Sequence, residues 1–209
     1  MNVTQELPDG YCEIKQLNFN QVERKIKENL LALLPGILLM VAGYACGDFN
    51  NVLWVLAAVA VALVFCIVYI PVHEVVHGLA FHVMTGVKPE YKLDYKEKVF
   101  VCYYPRLFVP GNMEWWCALA PFMVFSVLLI GGTVLSCMNH SFLGLSCGIV
   151  MVFHVFCCRG DIWLAREIHR MKDKRLLIRE DETIQYFYLP QKNAEKRIIM
   201  HIIAEKTFP

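Results

Sequence analysis

The sequence predicts an α-helical integral membrane protein with four transmembrane helices, a small cytoplasmic β-hairpin and a cytoplasmic C-terminal tail. Three observations carry this. Hydrophobic residues make up 57% of the 209 residues and charged residues only 19%, against about 45–50% and about 25% in soluble domains. The apolar residues cluster into four runs, each approaching the ~20 residues that cross a bilayer. The second run ends in two histidines and a glutamate, groups that are costly in lipid and so mark function there. The same composition excludes disorder, a disulfide scaffold and an ordinary soluble enzyme. The net charge of +1 argues against a nucleic-acid partner, which calls for a basic excess.

Taken in order, the N-terminal segment mixes charges and lacks the apolar core of a cleavable leader. The first span, about residues 30–46, is therefore expected to be an uncleaved anchor. The second span covers 52–83 and is interrupted near its end by His73, Glu74, His77 and His82. The third covers 115–138, with Pro121 inside it as an expected kink and Trp115 and Trp116 at an interface. The fourth covers 142–164. The short loops Cys46–Asn51 and Asn139–Ser141 carry no Lys or Arg, whereas the N-terminal segment, the middle loop and the segment after the last span all do. The positive-inside rule then predicts a multi-pass protein with both termini and the middle loop in the cytoplasm. Within that loop, Glu90–Tyr104 alternates aromatic and apolar residues with charges, which predicts a hairpin turning at Lys96–Lys98. Leu176–Leu189 reads as a second strand pair around Asp181–Glu182. Asn193–Lys206 reads as a short amphipathic helix. The chain divides into a membrane-embedded domain, 1–189, and a tail, 190–209.

The chemistry centres on His73-Glu74-Val75-Val76-His77. Four helical residues turn a side chain by ~400°, so the two histidines stand ~40° apart on one face. Imidazoles so placed can hold one zinc, and the neighbouring Glu74 can take a proton from a water at the metal. A catalytic zinc needs a third protein ligand, and Asp161 is the candidate. His73–His77 lie ~32–38 Å along the second span and Asp161 ~29 Å along the fourth. Both start from the same face, so both sites fall near the cytoplasmic edge of a ~30 Å hydrocarbon core. The competing reading of Asp161 is an interfacial or capping carboxylate paired with Arg159. Gly160 would let another helix or the metal approach closely. His154 lies on nearly the same face as Asp161 but ~10 Å deeper, which suits a supporting residue or a hydrogen-bonded core histidine better than a ligand. His82 faces away, and His169 and His201 read as surface residues. The nine cysteines are odd in number and lie mostly within spans, so packing is their default role. A thiolate ligand at Cys157 or Cys158 is a lesser alternative.

These residues resemble a bacterial domain-of-unknown-function family of putative membrane zincin peptidases. The resemblance rests on HEVVHGLAF (73–81) after an apolar run, the tyrosine-rich loop, Ala120-Pro121, Gly160-Asp161-Ile162, and the ending Ile178–Leu189 with acids before aromatics. It runs from about the first span to Leu189. The arrangement is also similar to site-2 proteases, although this chain has Gly-Asp-Ile where those proteases typically have Asp-Gly. The resemblance implies zinc as cofactor, His73, His77 and Asp161 as its ligands, Glu74 as catalytic base, and a place in the bacterial cell membrane. The implied activity is zinc-dependent intramembrane proteolysis near the cytoplasmic face, with a membrane-protein or peptide substrate. A substrate strand could pair along the hairpin through Tyr91, Leu93, Tyr95, Val101 and Tyr103, or the hairpin could be a plain interfacial structure anchored by its tyrosines. Two further classes remain open at this point. One is a non-enzymatic zinc-binding membrane scaffold or regulator. The other is a haem protein using His73 or His77 with His154, which leaves Glu74 and Asp161 without a role.

Overall fold

In the computed structural model, the described residues are 3–18, 33–47, 49, 51–94, 99–104, 107–181 and 184–192. In chain order they form β1 (Tyr11–Asn18), α1 (Leu34–Cys46), α2 (Val52–Thr85), β2 (Glu90–Asp94), β3 (Val99–Tyr103), β4 (Val109–Pro110), α3 (Gly111–Met138), α4 (Leu143–Cys157), α5 (Arg159–Met171), β5 (Leu177–Asp181) and β6 (Ile184–Pro190).

The longest apolar run becomes the longest helix. It opens where the Asn51 side chain accepts a hydrogen bond from the Leu53 N–H at 2.9 Å, an N-cap that satisfies an orphan donor. It closes at Gly86, whose φ of +73° is the left-handed conformation that glycine supplies at helix ends. Its 34 residues span about 51 Å, well beyond the ~30 Å hydrocarbon core. Among the described residues, α2 and α3 are each long and apolar enough to cross a membrane, and α4 with α5 supplies a third crossing if the bent pair counts as one span.

Two expectations change here. The fourth run is not one helix to about Leu164, because it breaks at Cys158 and α5 turns away by 49°. The composition explains this. Through Cys157 the run is mostly apolar, with Ser146 and His154 as its polar side chains, whereas Arg159–Met171 carries Arg159, Asp161, Arg166, Glu167, His169 and Arg170, with Leu164, Ala165, Ile168 and Met171 buried on one face. Such a helix turns its apolar face to a protein surface. The described part of the first run yields α1, whose 13 residues cover about 20 Å, less than a full crossing. Residues 30–32 of that run lie outside the described residues. α1 packs closely on α4, because a Cβ on Gly43 would overlap the Gly144 carbonyl and one on Gly148 would overlap the Met40 backbone. Small residues at such a crossing let the backbones touch.

The strands form two sheets. β2 and β3 pair antiparallel from Glu90↔Tyr103 to Asp94↔Val99, as the alternation predicts. Tyr95 and the turn Lys96–Lys98 lie outside the described residues, as does the helix expected over Asn193–Lys206. The second sheet has the order β1-β6-β5-β4. β5 and β6 are the expected strand pair around Asp181–Glu182. β1 and β4 carry no periodic signal strong enough to announce them, and they are recruited by long-range pairing. The inward face of this sheet, with Leu17, Ile178, Phe187 and Leu189, packs on Leu164, Ala165 and Ile168 of α5. An ion pair from Lys15 to Glu167 at 2.7 Å joins β1 to that helix. The Gly111 N–H donates to the Leu176 carbonyl at 2.8 Å, which ties the start of α3 to the strand that follows α5. The sheets and α5 thus surround the far end of α2, where His73 and His77 sit.

Candidate metal centre

One inward stripe of α2 passes through Ala58, Ala62, Tyr69, His73, His77 and Phe81, spaced four or seven residues apart, as one helical face requires. His73 is buried and His77 half-buried. Their Nε2 atoms lie 3.1 Å apart. The break at Cys158 places Asp161 in the first turn of α5, where a helix N-terminus favours a carboxylate. From there its Oδ2 comes to 3.2 Å from His73 Nε2 and its Oδ1 to 3.5 Å from His77 Nε2. The helix that was expected to run straight instead bends to deliver the third donor.

The two Nε2 atoms lie 3.1 Å apart, and the Asp161 carboxylate reaches one through Oδ2 at 3.2 Å and the other through Oδ1 at 3.5 Å, a spacing of polar atoms that suits one small cation. A tetrahedral zinc with bonds of about 2.0–2.1 Å keeps its ligand atoms about 3.3 Å apart. The hydrogen-bond inventory agrees. His77 Nδ1 lies 2.8 Å from the Cys117 carbonyl oxygen. A carbonyl only accepts, so the Nδ1–H donates and the Nε2 lone pair of the neutral ring is directed to the cluster. Among the described residues, the buried Asp161 Oδ2 has no hydrogen-bond partner beyond its 3.2 Å approach to His73 Nε2, an unmet need of the kind that a cation satisfies. Of the metal-capable groups, one joins His73, Glu74 and His77 and another joins His73, Cys158 and Asp161. They share His73, with His77 in one and Asp161 in the other.

Glu74 is held from a direction the sequence did not announce. Its Oε2 accepts the backbone N–H of Cys102 in β3 at 3.0 Å. Since Cys102 directs its N–H at Glu74, Tyr91↔Cys102 is a non-hydrogen-bonded pair, and Lys92↔Val101 and Glu90↔Tyr103 are the hydrogen-bonded ones. Val101 and Tyr103 therefore use their backbone groups against β2. The free edge of β2 carries Tyr91 and Leu93, while the edge beside the histidines carries Cys102. Gly78, the residue after His77, makes the contact feasible, because a Cβ there would collide with the Tyr91 hydroxyl and Pro89. Burial pushes the Cys102 thiol up to about 12, so it is the backbone of this residue, not its sulfur, that serves the site.

His154 stands apart from the His73, His77 and Asp161 cluster, yet it is linked to His73. Tyr69 Oη lies 2.7 Å from His73 Nδ1 and 2.6 Å from His154 Nδ1. Tyr69 was missed in the sequence because a tyrosine in an apolar run reads as packing. Its position one turn before His73 is the signal that could have found it. The Tyr69 hydroxyl stands between His73 and His154, so in this arrangement these two rings do not face each other across a space that a haem could fill. Gly160 also differs from expectation, because a Cβ there would meet nothing within 4 Å, and close approach is not what this glycine provides. Two further carboxylates border the site. Glu114 is buried in the first turn of α3. Glu180 of β5 is half-buried, and burial together with Glu114 pushes its carboxyl up to about 8.

The family model for "putative zincin peptidase" matches residues 64–176, more than half of the chain and every residue of the cluster. The chain belongs to the putative zincin peptidase family. As a member of that family it is expected to carry zinc, which suits the two imidazoles and one carboxylate found together. No curated protein and no solved structure matches the chain, so the likeness to site-2 proteases rests on the residues quoted above.

Proposed function

We propose that this zincin peptidase is a zinc-dependent intramembrane metalloprotease that cuts peptide bonds close to the cytoplasmic membrane face. The observation that carries the reading is the convergence of His73 Nε2, His77 Nε2 and Asp161 within 3.1–3.5 Å, beside a carboxylate that is not needed to hold the ion. His73, His77 and Asp161 are the ligands, which leaves a position open for water and substrate. Zinc bound there supplies Lewis-acid polarisation of the scissile carbonyl and lowers the pKa of water toward ~7. Glu74 accepts the proton of the attacking water and passes it to the leaving amine nitrogen. The Cys102 N–H steadies the Glu74 carboxylate through Oε2 and leaves Oε1 for that exchange. The substrate is a membrane protein or peptide presented as an unwound strand, paired along the hairpin through Tyr91 and Leu93, whose backbone edge is free of β3.

The topology proposal follows the charges. Lys15, Arg166, Arg170 and Arg175 lie on the sheet end of the molecule, while the short turns after α1 and α3 carry no Lys or Arg. This supports a bacterial cell-membrane protein with four crossings, α1 and the bent α4–α5 pair included, and with both termini and the site on the cytoplasmic side.

One observation favours a second reading. Cys158 groups with His73 and Asp161, and a site closed by a fourth protein ligand is structural rather than catalytic. Glu74→Gln separates the two. The protease reading expects zinc retained and turnover lowered by ~10²–10⁴-fold, with uncut substrate accumulating in the membrane proteome. A Glu74→Gln strain that matches wild type while a deletion strain does not would leave the zinc scaffold.

A further inference from the structure

The inward face of α2 continues one turn below His73 into a chain of buried polar groups that the proposed reaction does not use. Its members are Tyr69 on α2, His154 and Cys158 beside it, and Ser126 on α3. Tyr69 is 4% exposed and His154 is fully buried. Buried polar groups in lipid-embedded helices are costly unless they are fully hydrogen-bonded, so the order of donors along the chain carries information.

Counting protons limits that order. Tyr69 has one O–H proton and meets two imidazole nitrogens, His73 Nδ1 at 2.7 Å and His154 Nδ1 at 2.6 Å. It can donate to only one of them, so the other ring must donate to it. Two orders satisfy this count. The one that frees His73 Nε2 for a metal puts the proton of His154 on its own Nε2, which lies 3.1 Å from Ser126 Oγ, a hydroxyl able to accept it. Its Nδ1 is then the acceptor of the Tyr69 O–H. The Tyr69 oxygen must therefore accept the His73 Nδ1–H, which leaves a lone pair on His73 Nε2, the atom that faces His77 and Asp161.

We infer that Tyr69 and His154 are positioning residues that lock His73 in the Nδ1–H tautomer and aim its Nε2 at the metal. The inference rests on the zinc reading proposed above and deepens it. His77 obtains the same tautomer from one backbone carbonyl, Cys117. His73 has only side chains to do this, and the deciding proton is fixed two residues away, at His154. A carboxylate or carbonyl is the usual partner of a ligating histidine. Here a tyrosine, a weaker acceptor, takes that place, and His154 strengthens it by withdrawing the hydroxyl proton, since hydrogen bonds in a chain polarise one another. Cys158 Sγ, 3.6 Å from Tyr69 Oη and 3.4 Å from His154 Nδ1, lies along this chain. This position explains its grouping with His73 without making it a ligand.

The experiment uses the full chain in detergent. Zinc affinity is measured by competition with a chromophoric chelator, and the cobalt-substituted protein gives a ligand-field spectrum. Tyr69→Phe removes only the hydroxyl, and His154→Leu removes the acceptor that orders it. Each is expected to weaken zinc by about 10–100-fold, the usual effect of losing a partner of a ligating histidine, and to alter the cobalt bands. His154→Asn keeps a side-chain oxygen near the former Nδ1 and is expected to restore most of the affinity. Thermal unfolding of the metal-free proteins separates folding defects from metal effects. Tyr69→Phe with wild-type affinity and spectrum would overturn the inference. So would His154→Asn and His154→Leu that are equally impaired in zinc binding while both fold normally. Failure of the underlying reading looks different, because the wild-type chain would then bind no zinc that depends on Asp161.

Discussion

Along the inward stripe of α2, Ala58 and Ala62 occupy the first half, and Tyr69, His73, His77 and Phe81 the second. The outward face hardly changes, since Leu63, Val64, Ile67, Val72, Val75, Leu79 and Val83 are all well exposed. In the first half the inward residues are small, and a neighbour comes near enough for the Ser146 hydroxyl to donate to the Ala58 carbonyl at 2.9 Å. In the second half every inward polar atom has an assigned partner, on α3, on α5 or within the Tyr69 chain. Lipid accepts any apolar side chain of moderate size, so it sets the outward face loosely. Partners at fixed distances set the inward face residue by residue, first by volume and then by hydrogen bonding. Hydropathy, which averages both faces, records mainly the loose requirement.

This contrast can be broken most severely at the site end. His77→Ala or Asp161→Ala removes one of the three proposed ligands, and elemental analysis of the purified protein should show zinc largely lost. Full occupancy in the Asp161 variant would exclude that residue from the ligand set. Gly78→Leu should leave the ligands in place but push against the Tyr91 hydroxyl and Pro89. The hairpin then shifts and Glu74 loses the Cys102 N–H. A displacement near 1 Å can cost up to about a hundredfold in rate, so turnover should fall while zinc content holds. Unchanged kinetics would mean that the hairpin does not steady Glu74.

In the lipid half the expected effects are smaller and concern stability. Ala62 is fully buried while its neighbour Leu63 is exposed. Ala62→Leu should destabilise by about 1–3 kcal/mol through overpacking, whereas Leu63→Ile should stay within about 0.5 kcal/mol. Thermal unfolding in one detergent compares them, and equal effects would dissolve the distinction between the two faces.

A pH-dependent effect concerns Glu180, which borders the site end from β5. Burial and the Glu114 carboxylate raise its folded value from 4.5 to about 8, opposed by His77 and by a hydrogen bond from Gln185. The folded chain thus holds this proton more tightly than the unfolded one. Its contribution to stability is fully present below the unfolded value and is lost as pH rises through about 8. Glu180→Gln should flatten that decline between about pH 5 and about pH 9. An undiminished slope in the variant would show that another group titrates.

The candidate site was largely legible where one helix or one depth fixed it. His73, Glu74 and His77 follow from helical periodicity alone, and Asp161 from its distance along its own run. The alternation over Glu90–Tyr104 foretold β2 and β3, and the acids before aromatics foretold β5 and β6. What was not legible depended on other segments. The turn of α5 at Cys158 requires the sheet on which α5 packs. β1 pairs with β6 across most of the chain, and no local pattern encodes a partner so remote. Gly160 misled because a glycine beside a proposed ligand suggests close approach, while the structure leaves open space there.

By itself the sequence determined that this chain forms long apolar helices and that one of them ends in two imidazoles and a carboxylate on adjoining faces, because helix geometry fixes such relations within a few residues. Tertiary structure decided which protons those imidazoles carry, which backbone group holds Glu74 and how Asp161 arrives beside them. Each of these is a contact between atoms far apart in the chain, set at hydrogen-bond range by packing that no local spacing specifies.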